Sequence, residues 1–196
     1  MSRQIHSVCV YCASSRKANS GYYDDANRLG RLLAKQGIRL IYGGGAVGAM
    51  GAIADGALAE GGCVIGVLPR FMYDLKWGHK ELTELRIVND IHERKRLMIE
   101  EVDAIIALPG GSGTLEELLE AITWKRLGLC VHPIIVVNML GFFDPLIIQL
   151  ERAIEGNFMD ARHRSIWTVV NSVDEVIPAI QTAPVWTVDA RRFATV

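Results

Sequence analysis

Residues 104–124 read AIIALPGGSGTLEELLEAITW: a short apolar run from Ala104 to Leu108, a glycine-rich turn, and a helical stretch expected from about Leu115 to Leu127. This strand-turn-helix unit decides the fold, because the same rhythm runs along the rest of the chain. Further strands are expected at Val8–Tyr11, Arg39–Tyr42, Val64–Leu68, Leu85–Val88, Ile134–Val137 and Trp167–Val170. Between them helices are expected at about Tyr22–Gln36, Ala49–Glu60, Asp90–Glu101, Pro145–Glu155 and Val173–Gln181, and Gly37, Gly61, Gly128 and Gly156 stand where four helices should stop. The alternation specifies an α/β protein: a Rossmann-like, doubly wound, mostly parallel sheet with helices on both faces. The stretch from about Thr182 has no assignment.

The chain has 196 residues, 50% of them apolar, which suits one core, so a single nucleotide-binding domain over 1–196 is expected. Twenty-one basic residues face 22 acidic ones, so there is no broad positive field, and neither nucleic acid nor a membrane surface is an expected partner. No apolar run approaches the roughly 18 residues of a membrane span, and the opening MSRQIHSVCVYCASS has no long apolar stretch; a soluble, cytoplasmic protein is expected. Cys9 and Cys12 form a Cys-x-x-Cys pair, but residues three apart on a strand point to opposite faces and cannot easily chelate one ion. With no His-Glu-x-x-His helix either, no metal or other cofactor is expected.

In doubly wound sheets ligands sit where strands end and helices begin, which singles out two glycine-rich turns. Gly43, Gly44 and Gly45 open GGGAVG, which matches Gly-x-Gly-x-x-Gly. A dinucleotide site would want an acid about 20 residues on, at the end of the next strand; here that strand ends Val67-Leu68-Pro69-Arg70. A tight turn beside a ligand remains the plainer reading. The second turn, Gly110-Gly111-Ser112-Gly113-Thr114, has more specific physics: its glycines admit a ligand close to backbone amides, and a helix N-terminus follows. No Gly-Lys-Ser/Thr follows, so a single phosphate suits it better than a triphosphate.

Thr114-x-x-Glu117 can also be read as a capping box. On a wheel of about 100° per residue, Leu115, Leu118, Leu119 and Ile122 define an apolar stripe, and Glu117 and Trp124 fall on the opposite, outward face. An outward tryptophan suggests a covering surface, such as a second copy of the chain. In the helix before, Ile91, Met98 and Val102 mark the buried side, with Arg94 and Lys95 flanking it. Arg94 is then a snorkelling or internally paired cation, or one that reaches a ligand at the end of the next strand.

The segments HERK and IALPGGSGTLEELLEAITW, with VYCASS, YGGGAVGAMG and GFFDPL, strongly resemble the LOG (Lonely Guy) family of cytokinin riboside 5′-monophosphate phosphoribohydrolases, long mislabelled as lysine decarboxylases. The resemblance implies a metal-independent, Rossmann-like homodimer that hydrolyses the N-glycosidic bond of AMP or of N6-substituted adenosine 5′-monophosphates, releasing free base and ribose 5-phosphate. It assigns Arg94 and Glu117 as the catalytic pair and Lys95 as a substrate contact, with Gly110, Gly111, Ser112, Gly113 and Thr114 on the phosphate. Glu116 and Thr123 are further candidates for substrate contact, and Gly43, Gly44 and Gly45 for the sugar or base. The segment FMYDLKWGHKELTEL departs from the plant pattern, so base recognition is not assigned. A nucleotide sensor or carrier without turnover would need the glycine turns but not Arg94 with Glu117.

Overall fold

The computed structural model describes residues 4–194. Seven parallel strands form one sheet: β1 (Ser7–Tyr11), β2 (Arg39–Tyr42), β3 (Val64–Pro69), β4 (Glu84–Val88), β5 (Ala104–Ala107), β6 (Ile134–Val137) and β7 (Trp167–Val170). Their order is β4-β3-β2-β1-β5-β6-β7. The chain therefore winds outward from β1 to β4, crosses back to β5 on the other side of β1, and winds outward again. The reversal between β1 and β5 is the position at which doubly wound sheets open a ligand crevice.

The crossovers are α1 (Ser20–Lys35), α2 (Gly48–Ala59), α3 (Arg70–Asp74), α4 (Ile91–Glu100), α5 (Ser112–Arg126), α6 (Asp144–Glu155) and α7 (Val176–Thr182). Strands β1, β5 and β6 are buried along their whole length, as expected of parallel strands covered on both faces. Alternate residues serve two cores: Val8, Val10, Leu40 and Tyr42 pack under α1 and α2, whereas Cys9, Tyr11, Ile41 and Ile105 pack under the α4 and α5 side. Cys9 and Cys12 fall in opposite cores, as their spacing on a strand requires. Among the described residues no helix is long and apolar enough to cross a membrane.

Several local expectations need correction. The helix expected from Leu115 starts at Ser112, with Gly111 at its N-cap and no side-chain cap, so Thr114 and Glu117 lie inside the helix and form no capping box across its start. The buried side of α5 is made by Thr114, Glu117, Leu118, Ala121, Ile122 and Lys125, while Leu119 is 40% exposed. The wheel built on leucines was rotated, because the side of α5 facing the sheet takes small and polar residues and the side facing outward keeps Leu119. Glu117 therefore does not face away from the core: it is 5% exposed. Trp124 is not a fully outward side chain either, being half-buried against its own core. Helix α3 had no expected counterpart, and the unassigned tail includes a 3-10 segment, Val188–Phe193.

Candidate active site

A pocket of about 700 Å³ opens at the carboxyl ends of β3, β2, β1 and β5. It lies within the roughly 300–1,000 Å³ usual for small-molecule sites. At one end Gly111, Ser112, Gly113 and Thr114 line it at the start of α5. The first bond of that helix runs from the Leu115 N–H to the Gly111 carbonyl at 3.0 Å. The earlier amides of the turn have no intrahelical partner and stand at the positive end of the helix dipole. A Cβ added at Gly111 or Gly113 would meet no protein atom within 4 Å, so the space beside these amides is open to a ligand. Gly110 lies behind, packed against the Thr114 side chain.

Arg94 and Glu117 meet on the pocket wall, although they come from different helices. Asp90 caps α4 by accepting from the Glu93 N–H, which fixes the start of the helix one turn before Arg94. The Arg94 guanidinium then crosses the ends of two strands: Nε donates to the Val67 carbonyl at 3.0 Å and Nη2 to the Gly43 carbonyl at 3.1 Å. Its Nη1 lies 3.4 Å from Glu117 Oε1, an ion pair between two buried residues. Gly43 is needed here for room, since a Cβ at that position would collide with the guanidinium. Gly44, at φ +74°, supplies the turn, and Gly43 and Gly45 line the pocket.

Burial pushes the Glu117 carboxyl up to about 7; Arg94 works against this shift and the nearby charge of Glu116 adds to it. A carboxyl pushed toward neutrality in a cleft, beside a fixed cation, makes this pair the candidate for acid–base or electrostatic work at the site. Cys12 also lines the pocket, but burial, and after it the charge of Glu117, pushes its thiol well up, which leaves no thiolate for nucleophilic chemistry.

Lys95, Glu116 and Thr123 are not among the residues lining the pocket. Lys95 is buried and donates to Glu116 and to Glu120, the latter at 3.1 Å, which ties α4 to α5 one residue away from the Arg94–Glu117 pair. The Thr123 hydroxyl donates to the Leu119 carbonyl of its own helix at 2.8 Å. Conversely, the pocket recruits residues not singled out from sequence: Ser14, Ser15 and Arg16 after β1, Met50 on α2, Leu68 on β3, and Met72, Lys76 and Trp77 in and after α3. Met72, Lys76 and Trp77 lie in the segment for which base recognition is not assigned from sequence, Met50 lies in the stretch YGGGAVGAMG, and the loop after β1 stands at the end of the first strand; which of their side chains reach the pocket depends on how crossovers fold over the sheet.

Fold and site together define a doubly wound α/β protein whose pocket combines a helix N-terminus with a buried carboxylate–guanidinium pair. The chain belongs to the LOG family, whose sequence model is described as "possible lysine decarboxylase" and matches residues 50–180. A relative in rice, named cytokinin riboside 5′-monophosphate phosphoribohydrolase LOG, is 39% identical over 186 residues, 91% of this chain and 77% of the relative. One from Rhodococcoides fascians, named cytokinin riboside 5′-monophosphate phosphoribohydrolase, is 41% identical over 90% of this chain and 89% of its own. Among solved structures, the structural-genomics target TM1055 matches with a TM-score of 0.70 and 26% identity over 89% of this chain and 98% of that one. The molybdenum cofactor carrier protein of Chlamydomonas reinhardtii shares the fold, with a TM-score of 0.69 and 21% identity over 92% of this chain and 98% of that one.

Proposed function

We propose that this protein hydrolyses the N-glycosidic bond of nucleoside 5′-monophosphates of the AMP and N6-substituted adenosine type, adding water across the bond to give free base and ribose 5-phosphate. The observation that carries this reading is the Arg94–Glu117 pair on the wall of a pocket whose end is a helix N-terminus open to phosphate. The names of the curated relatives point the same way.

Cleaving the bond builds positive charge on the ribose as the base departs. Glu117, ionised, stabilises that charge and orients the water that adds to the anomeric carbon. Its position near neutrality suits it to take up the proton that the water loses. Arg94, fixed by two main-chain carbonyls, holds Glu117 in place and faces the leaving base. Phosphate on the first turn of α5 fixes the sugar so that binding energy acts at the reacting centre. Lysine decarboxylation has weaker support. Such chemistry uses a desolvated Schiff-base lysine, whereas Lys76 in the pocket is exposed, Lys95 is engaged by Glu116 and Glu120, and Lys125 donates to the Ile166 carbonyl.

Incubation with AMP and with N6-isopentenyl-AMP, followed by chromatography for free base, tests the reading. Stoichiometric base and ribose 5-phosphate support it. Tight nucleotide binding with no product from either would replace it with a carrier or sensor.

The second element of the reading is a homodimer in the cytoplasm. Cysteines 9, 12, 63 and 130 are all unpaired, as suits a reducing compartment. With Trp124 half-buried by its own chain, the exposed apolar side chains nearest it in sequence are Leu119 and Leu127, each 40% exposed, with Leu129 at 68%, and these are the ones a second copy would cover. Sedimentation at micromolar concentration should give a dimer that Leu129→Glu weakens; a wild-type monomer would rule it out.

A further inference from the structure

The two ends of the pocket differ in chemistry. The phosphate end stands over β5 and β1; the other reaches β3, three strands away from β5 in the order β3-β2-β1-β5. Neighbouring strands lie about 4.8 Å apart, so the ends are separated by roughly 14 Å. With phosphate on α5 and the sugar beside Glu117, the base and anything attached to it must extend toward β3.

At that end the lining side chains are Leu68, Met72, Lys76 and Trp77, with Met50 nearby on α2. None of these side chains carries an oxygen acceptor; the hydroxyls lining the pocket are those of Ser14 and Ser15 in the loop after β1 and of Ser112 and Thr114 on α5. A bare exocyclic amine would shed water there without a side-chain acceptor in exchange, whereas an alkyl group on that nitrogen would bury apolar surface. Trp77 is the largest of these side chains and is 54% exposed at the rim. Its backbone is nonetheless fixed. The Trp77 carbonyl accepts from the Ala46 N–H at 3.0 Å, the His79 N–H donates to the Gly44 carbonyl at 2.9 Å, and Gly78 bridges to Gly45. Lys76, at φ +59°, turns the chain into this attachment. The first glycine turn thus holds Trp77 at the mouth of the pocket.

We propose that Trp77 is a specificity-determining residue, its indole covering, with Leu68 and Met72, an apolar substituent on the exocyclic nitrogen of the purine. This rests on the hydrolase reading above. Such an aromatic surface serves a flat ring or an alkyl chain without a hydrogen-bond code, and its loss weakens the ligand that reaches it most.

The test compares kcat/KM for N6-isopentenyl-AMP and AMP in wild type, Trp77→Ala, Trp77→Phe and Phe71→Ala. Phe71 is half exposed in α3, the helix just before Trp77, but does not line the pocket. Trp77→Ala should lower the isopentenyl-to-AMP ratio about tenfold or more, while Trp77→Phe and Phe71→Ala keep it within about threefold. An unchanged ratio in Trp77→Ala overturns the proposal. Titration with N6-isopentenyl-AMP should also quench tryptophan emission in wild type and not in Trp77→Phe. If wild type releases base from neither nucleotide, the hydrolase reading fails and quenching alone decides: a Trp77-dependent quench supports the subsite, and its absence removes it.

Discussion

Glu117→Gln separates catalytic from structural roles because the two readings predict opposite signs. The carboxyl is 5% exposed and its pKa is raised to about 7 from an ordinary 4.5. Between those two values the native state holds a proton that the unfolded chain releases, so this group makes wild-type stability fall as pH rises through that window. At about 1.4 kcal/mol per pKa unit, the ionised carboxylate costs the fold on the order of 3 kcal/mol above pH 7, of which some 2–3 kcal/mol develops between pH 5 and 8. Glutamine cannot ionise. The attraction of Arg94 for the ionised carboxylate is already contained in that pKa, and in the variant Arg94 keeps its bonds to Val67 and Gly43. Denaturant unfolding at pH 5 and pH 8 should therefore show the variant gaining on wild type by roughly 2–3 kcal/mol between the two. At pH 8, where wild-type Glu117 is ionised, kcat of the variant should lie at least about a hundredfold below wild type, the usual loss on removing one group aimed at transition-state charge. A variant that retains near-wild-type base release refutes the catalytic role. A variant whose stability tracks wild type at both pH values refutes the buried, proton-holding carboxyl.

Three further outcomes follow from the geometry. Wild-type activity should rise with pH through about 7 as Glu117 ionises, and Arg94→Ala, which removes the charge that lowers that pKa, should move the rise to higher pH as well as reduce kcat; a pH profile shows both, and an unmoved midpoint counts against the pairing. Gly111→Ala should keep stability within about 0.5 kcal/mol, since the added methyl meets no protein atom and φ is −82°, yet raise KM by crowding the phosphate; unchanged KM would place the phosphate elsewhere. Activity should survive exhaustive chelation, and loss with EDTA that is restored by a divalent metal would require a different mechanism.

The fold was legible because a parallel α/β sheet writes itself locally. The inner strands β1, β3, β5 and β6 are apolar runs buried along their length, four helices carry a glycine stop signal, and neither feature depends on distant residues. The turn from Gly110 to Thr114 was legible for the same reason, since close backbone approach and a helix N-terminus are properties of adjacent residues. Helix orientation was not. Leucines alone misplaced the buried side of α5, because Thr114, Ala121 and Lys125 face inward where the sheet lies close and Leu119 stays outside. Pairing across the fold was equally hidden: Arg94 meets Glu117 because Gly43 leaves room for a guanidinium and the ends of β2 and β3 present carbonyls to it, facts spread over about 75 residues of sequence. The far end of the pocket, with Leu68, Met72 and Trp77, exists because α3 packs against β3 and the segment Trp77–His79 after it is tied to the turn at Gly44–Ala46. Local chemistry in the sequence determined which elements form and where an anion could bind, whereas the side chains that surround a substrate were decided by crossovers that bring remote residues to one edge of the sheet.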